Sequence, residues 1–123
     1  MKIFVYGTLQ SQFENEMAQL LKEHATYVCE GKVKGFLYLL DWYPGLVLDA
    51  EGFEVKGEVF EIHTNEESLL KKLDEYEGVD TWDFRRLIRP VNTANGKQDC
   101  WIYETLIESD YIIKSGDFLD VSI

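Results

Sequence analysis

The chain has 123 residues, which points to one domain over 1–123. At 46% hydrophobic and 14% aromatic it has material for a packed core, which argues against disorder despite the high charge. The formal net charge of −11 argues against nucleic acid and anionic membranes as partners, but leaves room for a small anionic substrate held by a local arrangement of groups.

Residues 2–6, KIFVY, predict a first strand buried on both faces. The apolar run breaks at Tyr6-Gly7-Thr8, too early for a signal-peptide core. The loop GTLQSQ leads into a helix, with Ser11 and Glu14 spaced as a capping box. That helix is expected to reach about Glu23, with Phe13, Met17, Leu20, Leu21 and His24 on one face. Residues 26–40 read as strand material interrupted near Gly31 and Gly35, followed by a turn at Pro44-Gly45 and a short strand at Leu46–Leu48. Residues 53–62, FEVKGEVFEI, alternate as a strand, with a bulge or bend expected at Gly57.

Thr64 and Glu67 form a second capping-box pattern, opening a helix that ends at Gly78. FRRLIRPV is a strand ended by Pro90, and Asn95-Gly96 favours a hairpin turn into the strand QDCWIYETL. The tail reads as a short strand or a pair of turns. The order is β-α-β-β-β-α-β-β, with no repeat and no linker. Two folds satisfy it: helices on a curled, partly closed sheet, or a flatter α+β sandwich.

The second helix ends in KKLDEYEGVD, residues 71–80. At about 100° per residue, Leu69, Leu70, Leu73 and Tyr76 form one apolar stripe. Glu75 falls on the opposite, solvent side and Asp74 on the flank, as surface charges do. Glu77 falls inside the stripe, four residues after Leu73. It also sits in the last turn, where the helix dipole disfavours a carboxylate. Both effects raise its pKa toward the range of a general acid or base. A frayed helix end would instead leave Glu77 in water.

Other residues carry weaker signals. VYGTLQS, residues 5–11, is a strand-to-helix turn whose backbone amides suit an anion, although ordinary turns look the same. Strand alternation puts Arg85 and Arg86 on opposite faces, one facing the core side to pair with an acid. His24 and His63 lack partners at metal-ligand spacing, and Cys29 and Cys100 form neither a metal motif nor a disulfide framework. Neither cysteine carries a mark of an activated nucleophile, and Ser11 and Ser68 lack a nucleophile-elbow context. Trp42, Trp82 and Trp101, with Tyr38, Tyr43 and Tyr103, line a pocket or fill the core. No segment approaches the roughly 20 apolar residues of a membrane span. A soluble cytoplasmic protein is expected.

Several of these fragments together resemble the gamma-glutamylcyclotransferase-like superfamily, in the branch of gamma-glutamylamine cyclotransferases and plant avirulence-induced proteins. They are FVYGTL, VKGFLYLLDWYPGLV, GEVFEI and LLKKLDEYEG, within about Lys2 to Tyr103. The resemblance implies an α+β fold with a curled, β-barrel-like sheet flanked by two main helices. It implies cyclisation of a γ-glutamyl amine or amide to 5-oxoproline, with no metal or cofactor. It puts the catalytic glutamate at Glu77 and substrate contacts at Tyr6, Gly7, Thr8, Leu9, Pro44, Gly45, Arg85 and Tyr103. The expected partner is a small γ-glutamyl molecule, and the chain a monomer or homodimer. Two positions depart from the family pattern. Phe84, in Phe84-Arg85-Arg86, stands where the family often has tyrosine, and Gln10-Ser11-Gln12-Phe13 replaces a basic, glycine-containing stretch. A non-catalytic binding domain of the same fold is the competing expectation.

Overall fold

The first strand, β1 (Lys2–Val5), is buried on both faces because it runs between two cores. The computed structural model describes residues 1–79, 83–107 and 109–121. After β1 come α1 (Glu16–His24), β2 (Ala25–Leu39), β3 (Pro44–Leu48), β4 (Phe53–Ile62), α2 (Glu66–Glu77), β5 (Phe84–Thr93) and β6 (Gly96–Thr105). This is the order expected from periodicity. A short 3-10 turn at Phe118–Asp120 follows. No helix among the described residues is long and apolar enough to cross a membrane.

The strands are ordered β3-β2-β4-β1-β6-β5, and β5 returns to β2 through Lys32 and Asn92. Five strands thus close into a barrel, with β3 attached to β2 as an extra strand. The flatter sandwich is excluded. Among the described residues, only β1 and β6 run parallel. Inside the barrel lie Phe4, Val33, Val55, Val59, Val91, Cys100 and Ile102. Outside it, Ile3, Val5, Phe60 and Ile62 meet Leu21 of α1 and Leu69, Leu70 and Leu73 of α2. Period-two alternation in β1 and β4 feeds both cores at once.

The barrel is narrow, and two glycines make it so. Gly31 and Gly57 face each other across β2 and β4. A Cβ on Gly31 would lie 2.6 Å from Val91, and one on Gly57 2.7 Å from the ring of Phe4. Gly57 therefore sits in regular register, giving space to Phe4. The register shift lies instead at Tyr27–Cys29 of β2, and β2 runs unbroken through Gly31 and Gly35.

Local capping patterns were outcompeted by distant partners. Asn15, not Ser11, caps α1, accepting from the amide of Ala18 at 2.9 Å. Ser11 donates its amide and hydroxyl to Glu58 of β4, which pins the loop to the barrel. Phe13 precedes α1 and packs on Phe118. Asn65, in the left-handed region at φ 51°, precedes α2 without a side-chain cap, and Thr64 bonds His24 at 3.2 Å instead. Pro44 and Gly45 open β3 opposite Leu39 and Tyr38 rather than forming the turn, which lies at 40–43. A strand's first residue is a place where proline is tolerated. Strand β5 continues through Pro90 to Thr93, and its far side pairs with β2 at Asn92. The hairpin turns at Ala94 and Asn95, with Gly96 at φ 96°. The tail bonds to Leu37, Leu39 and Lys56 and buries Ile113 and Phe118 in the barrel core.

Candidate active site

Helix α2 stops because Gly78 takes the left-handed conformation, φ 82°, and donates its amide back to Asp74 and Glu75. Glu77 is thus the last helical residue. The turn before it does not fray: the Tyr76 hydroxyl and Thr8 Oγ1 are 2.9 Å apart and hydrogen-bonded. Glu75 is exposed, as its helical phase requires.

Glu77 lines a cavity of about 190 Å3 between the end of α2 and the turn that follows β1. Tyr6, Gly7, Thr8 and Leu9 line it from the β1 side, and Pro44 and Tyr103 from β3 and β6. Pro44 packs directly on Gly7, where a Cβ would meet its ring at 2.8 Å. Gly45 is not among the lining residues; it packs against Leu40 and Thr105. Arg85 is not among them either. Its guanidinium points away on the opposite strand face and binds the buried Glu104 at 2.6 and 2.8 Å. Glu104 also accepts the amide of Leu48, so this pair ties β3 to β5 and β6.

The Glu77 residue is partly open to the cavity, but its carboxyl is enclosed by protein. Burial pushes its pKa up to about 7. Among the described residues, no cation and no donor is bonded to it. Its electrostatic neighbours are the phenols of Tyr6, Tyr76 and Tyr103, all raised above their ordinary values, first by burial. These phenols stay neutral. The Tyr6 hydroxyl is already engaged, donating to the carbonyl of Tyr103 at 2.7 Å and accepting from the amide of Leu46 at 3.2 Å. A carboxyl that titrates near neutrality, among neutral phenols, can take up and release a proton at working pH.

The Gly7–Leu9 turn lines the same cavity and carries backbone donors. Among the described residues, the amides of Gly7, Thr8 and Leu9 make no hydrogen bond, whereas the Gly7 carbonyl accepts from Gln10 and the Thr8 carbonyl from Asn15. Successive free amides in a turn suit a carboxylate or an oxyanion.

Asp74 is not the solvated flank charge expected from its helical phase. It accepts two bonds from Arg86, at 2.7 and 3.2 Å, and one from the Tyr103 hydroxyl, at 2.7 Å. Arg86 in turn lies 4.2 Å from the ring centroid of Trp101. Both arginines therefore have acidic partners. Tyr76, Asp83 and Phe84 also line the cavity. Tyr76 was legible only as a stripe residue, and no sequence signal singled out Asp83. Trp42 and Tyr43 line the cavity, Trp101 lies under Arg86, and Trp82, like Asp80, lies outside the described residues. Both cysteines are free, and burial pushes the Cys100 thiol up to about 11, away from nucleophilic use. Among the described residues no cluster of His, Cys, Asp and Glu is arranged to hold a metal ion.

Comparison with known proteins bears on the family. A Methanocaldococcus jannaschii protein, provisionally named a gamma-glutamylcyclotransferase, is 25% identical over 96% of this chain and 95% of its own length. The solution structure of the Escherichia coli protein ytfP shares 29% identity at a TM-score of 0.67, covering 98% of this chain and 97% of that one. A crystal structure from Pyrococcus horikoshii shares 26% at a TM-score of 0.69, covering 96% and 89%. The model of the family described as gamma-glutamyl cyclotransferase, AIG2-like, matches residues 3–120, so the chain belongs to that family.

Proposed function

We propose that this protein cyclises a γ-glutamyl amine or amide to 5-oxoproline, releasing the amine, with Glu77 as the acid/base. The observation that carries this reading is the buried carboxyl of Glu77, with its pKa at about 7 and no cation bonded to it among the described residues, in one cavity with the Gly7–Leu9 turn, whose amides make no hydrogen bond among those residues. Family membership supports the reaction class.

The substrate's α-ammonium gives a proton to the Glu77 carboxylate. The free amine attacks the side-chain carbonyl carbon and forms the ring N–C bond. As the tetrahedral centre collapses, the bond to the leaving nitrogen breaks and that nitrogen takes the proton from Glu77; the ring nitrogen then gives its surplus proton to the regenerated Glu77 carboxylate, which passes it to the released amine. The nucleophile is tethered to its target, so orientation supplies much of the rate. The amides of Gly7, Thr8 and Leu9 hold the substrate carboxylate or the developing oxyanion. A cavity that reaches Glu77 favours turnover over simple binding. The test is incubation with dipeptides, γ-glutamyl-ε-lysine and γ-glutamyl amines, scored for 5-oxoproline. Glu77→Gln should lower its formation by at least about 100-fold, and near-normal turnover in that variant rejects the assignment.

A further inference from the structure

A γ-glutamyl compound has two ends, the glutamyl group that would react at Glu77 and the amine that would leave. At about 190 Å3 the cavity over Glu77 is smaller than the roughly 300–1,000 Å3 of sites that enclose a whole drug-sized ligand. The leaving end must emerge from it. A second hollow, of about 370 Å3, opens alongside, and Thr8 and Trp42 line both.

The second hollow is apolar. Phe13, Phe118, Leu119 and Val121 line it, with the rings of Phe13 and Phe118 6.0 Å apart. Trp42 and Leu119 are 54% and 38% exposed, so much of this apolar surface stands open to solvent. Among the described residues, no lysine or arginine lines it. Of the polar lining residues, Gln12 is exposed and uncharged, and Asn15 spends its amide on Thr8 and its carbonyl on the start of α1. The Thr8 hydroxyl is bonded to Tyr76. Among the described residues, nothing charged lines the hollow to offset the desolvation of a carboxylate.

We propose that this hollow is the leaving-group subsite, and that it selects an apolar or aromatic amine over an amino acid with a free α-carboxylate. The inference rests on the cyclisation reading above and names its substrate class. The amine nitrogen stays beside Glu77, where it receives its proton, while the carbon skeleton crosses between Thr8 and Trp42 onto Phe13, Phe118 and Leu119.

The test measures binding, which is independent of turnover. Glu77→Gln protein is titrated by calorimetry with γ-glutamyl-phenethylamide and with γ-glutamylglycine. The phenethylamide should bind at least about tenfold more tightly. Adding the exposed-site substitution Leu119→Lys should weaken the phenethylamide and narrow the ratio to about threefold or less. Equal affinities, a ratio unmoved by Leu119→Lys, or no binding of either compound overturns the subsite. Release of 5-oxoproline by the unaltered protein is scored separately. Its absence from the whole panel rejects the cyclisation reading, whereas turnover without the binding preference rejects the subsite alone.

Discussion

Arg86 holds Asp74 in a two-pronged grip, 2.7 Å from Nε and 3.2 Å from Nη2, one helical turn before Glu77. The Tyr103 hydroxyl binds the same carboxylate from β6. The last turn of α2 is thereby fastened to the two strands beneath it. Both charged side chains are about one-fifth exposed, at 21% and 22%, so loss of either leaves a largely desolvated charge. Arg86→Ala should destabilise the fold by about 2–4 kcal/mol in urea titration, near the lower end for broken buried pairs. A double-mutant cycle with Asp74→Ala should show coupling above about 0.5 kcal/mol. Additive effects would mean that the grip contributes nothing beyond its separate side chains.

The raised pKa of Glu77 sets an expected pH–rate profile. As a base it must be ionised in the free enzyme, so kcat/KM should rise with pH through about 7. The acid limb should vanish from the residual activity of Glu77→Gln. A limb near the ordinary carboxylate range would contradict burial as the dominant influence on this group.

The same burial makes Glu77 a cost to stability at neutral pH. Its folded pKa of about 7 lies above the ordinary value of 4.5. Between these values the folded state binds the proton and the unfolded state does not, so this group's contribution falls as pH rises from about 4.5 to about 7. Glu77→Gln should therefore be more stable than the unaltered protein at pH 8, by up to about 3 kcal/mol, and closer to it at pH 4.5. Thermal melts of both proteins at the two pH values measure this difference.

The two candidate caps of α1 make opposite predictions for one hydrogen bond. Asn15→Ala should cost about 1 kcal/mol, since it removes the acceptor for the Ala18 amide. It also frees the Thr8 carbonyl, loosening the turn that lines the cavity. Ser11→Ala keeps the helix start and loses only a bond to Glu58. Chemical denaturation of the two variants compares them, and an equal or larger loss for Ser11→Ala contradicts this assignment.

Barrel closure depends on the absence of side chains at one register pair. Gly57→Ala places a Cβ 2.4 Å from the Val5 carbonyl oxygen and 2.7 Å from the Phe4 ring. Backbone cannot yield as a flexible side chain can, so the loss should reach about 2 kcal/mol or more. A variant as stable as the unaltered protein in urea would show that β1 and β4 shift freely against each other.

Some of this molecule is written in short-range pattern. The alternation in β1 sends Ile3 and Val5 one way and Phe4 the other. The phase of α2 buries Leu69, Leu70 and Leu73, exposes Glu75 and turns Glu77 inward, and Gly78 ends the helix. Side-chain direction repeats with backbone geometry, so neighbouring residues suffice to read it. Other features were decided only by tertiary structure. Asp74 sat on the flank of the stripe, yet its partners come from 12 and 29 residues away. Ser11 and Thr64 matched a capping pattern, yet their hydroxyls bond to residues 47 and 40 positions distant, and the caps moved. Pro44 and Gly45 looked like a turn until β2 offered them a strand to pair with. Polar groups take whichever partner the folded chain brings within reach, and local sequence does not encode which distant segment that is. The cavity itself, made where the end of α2 meets the Tyr6–Leu9 turn and Pro44, exists only once the barrel has closed.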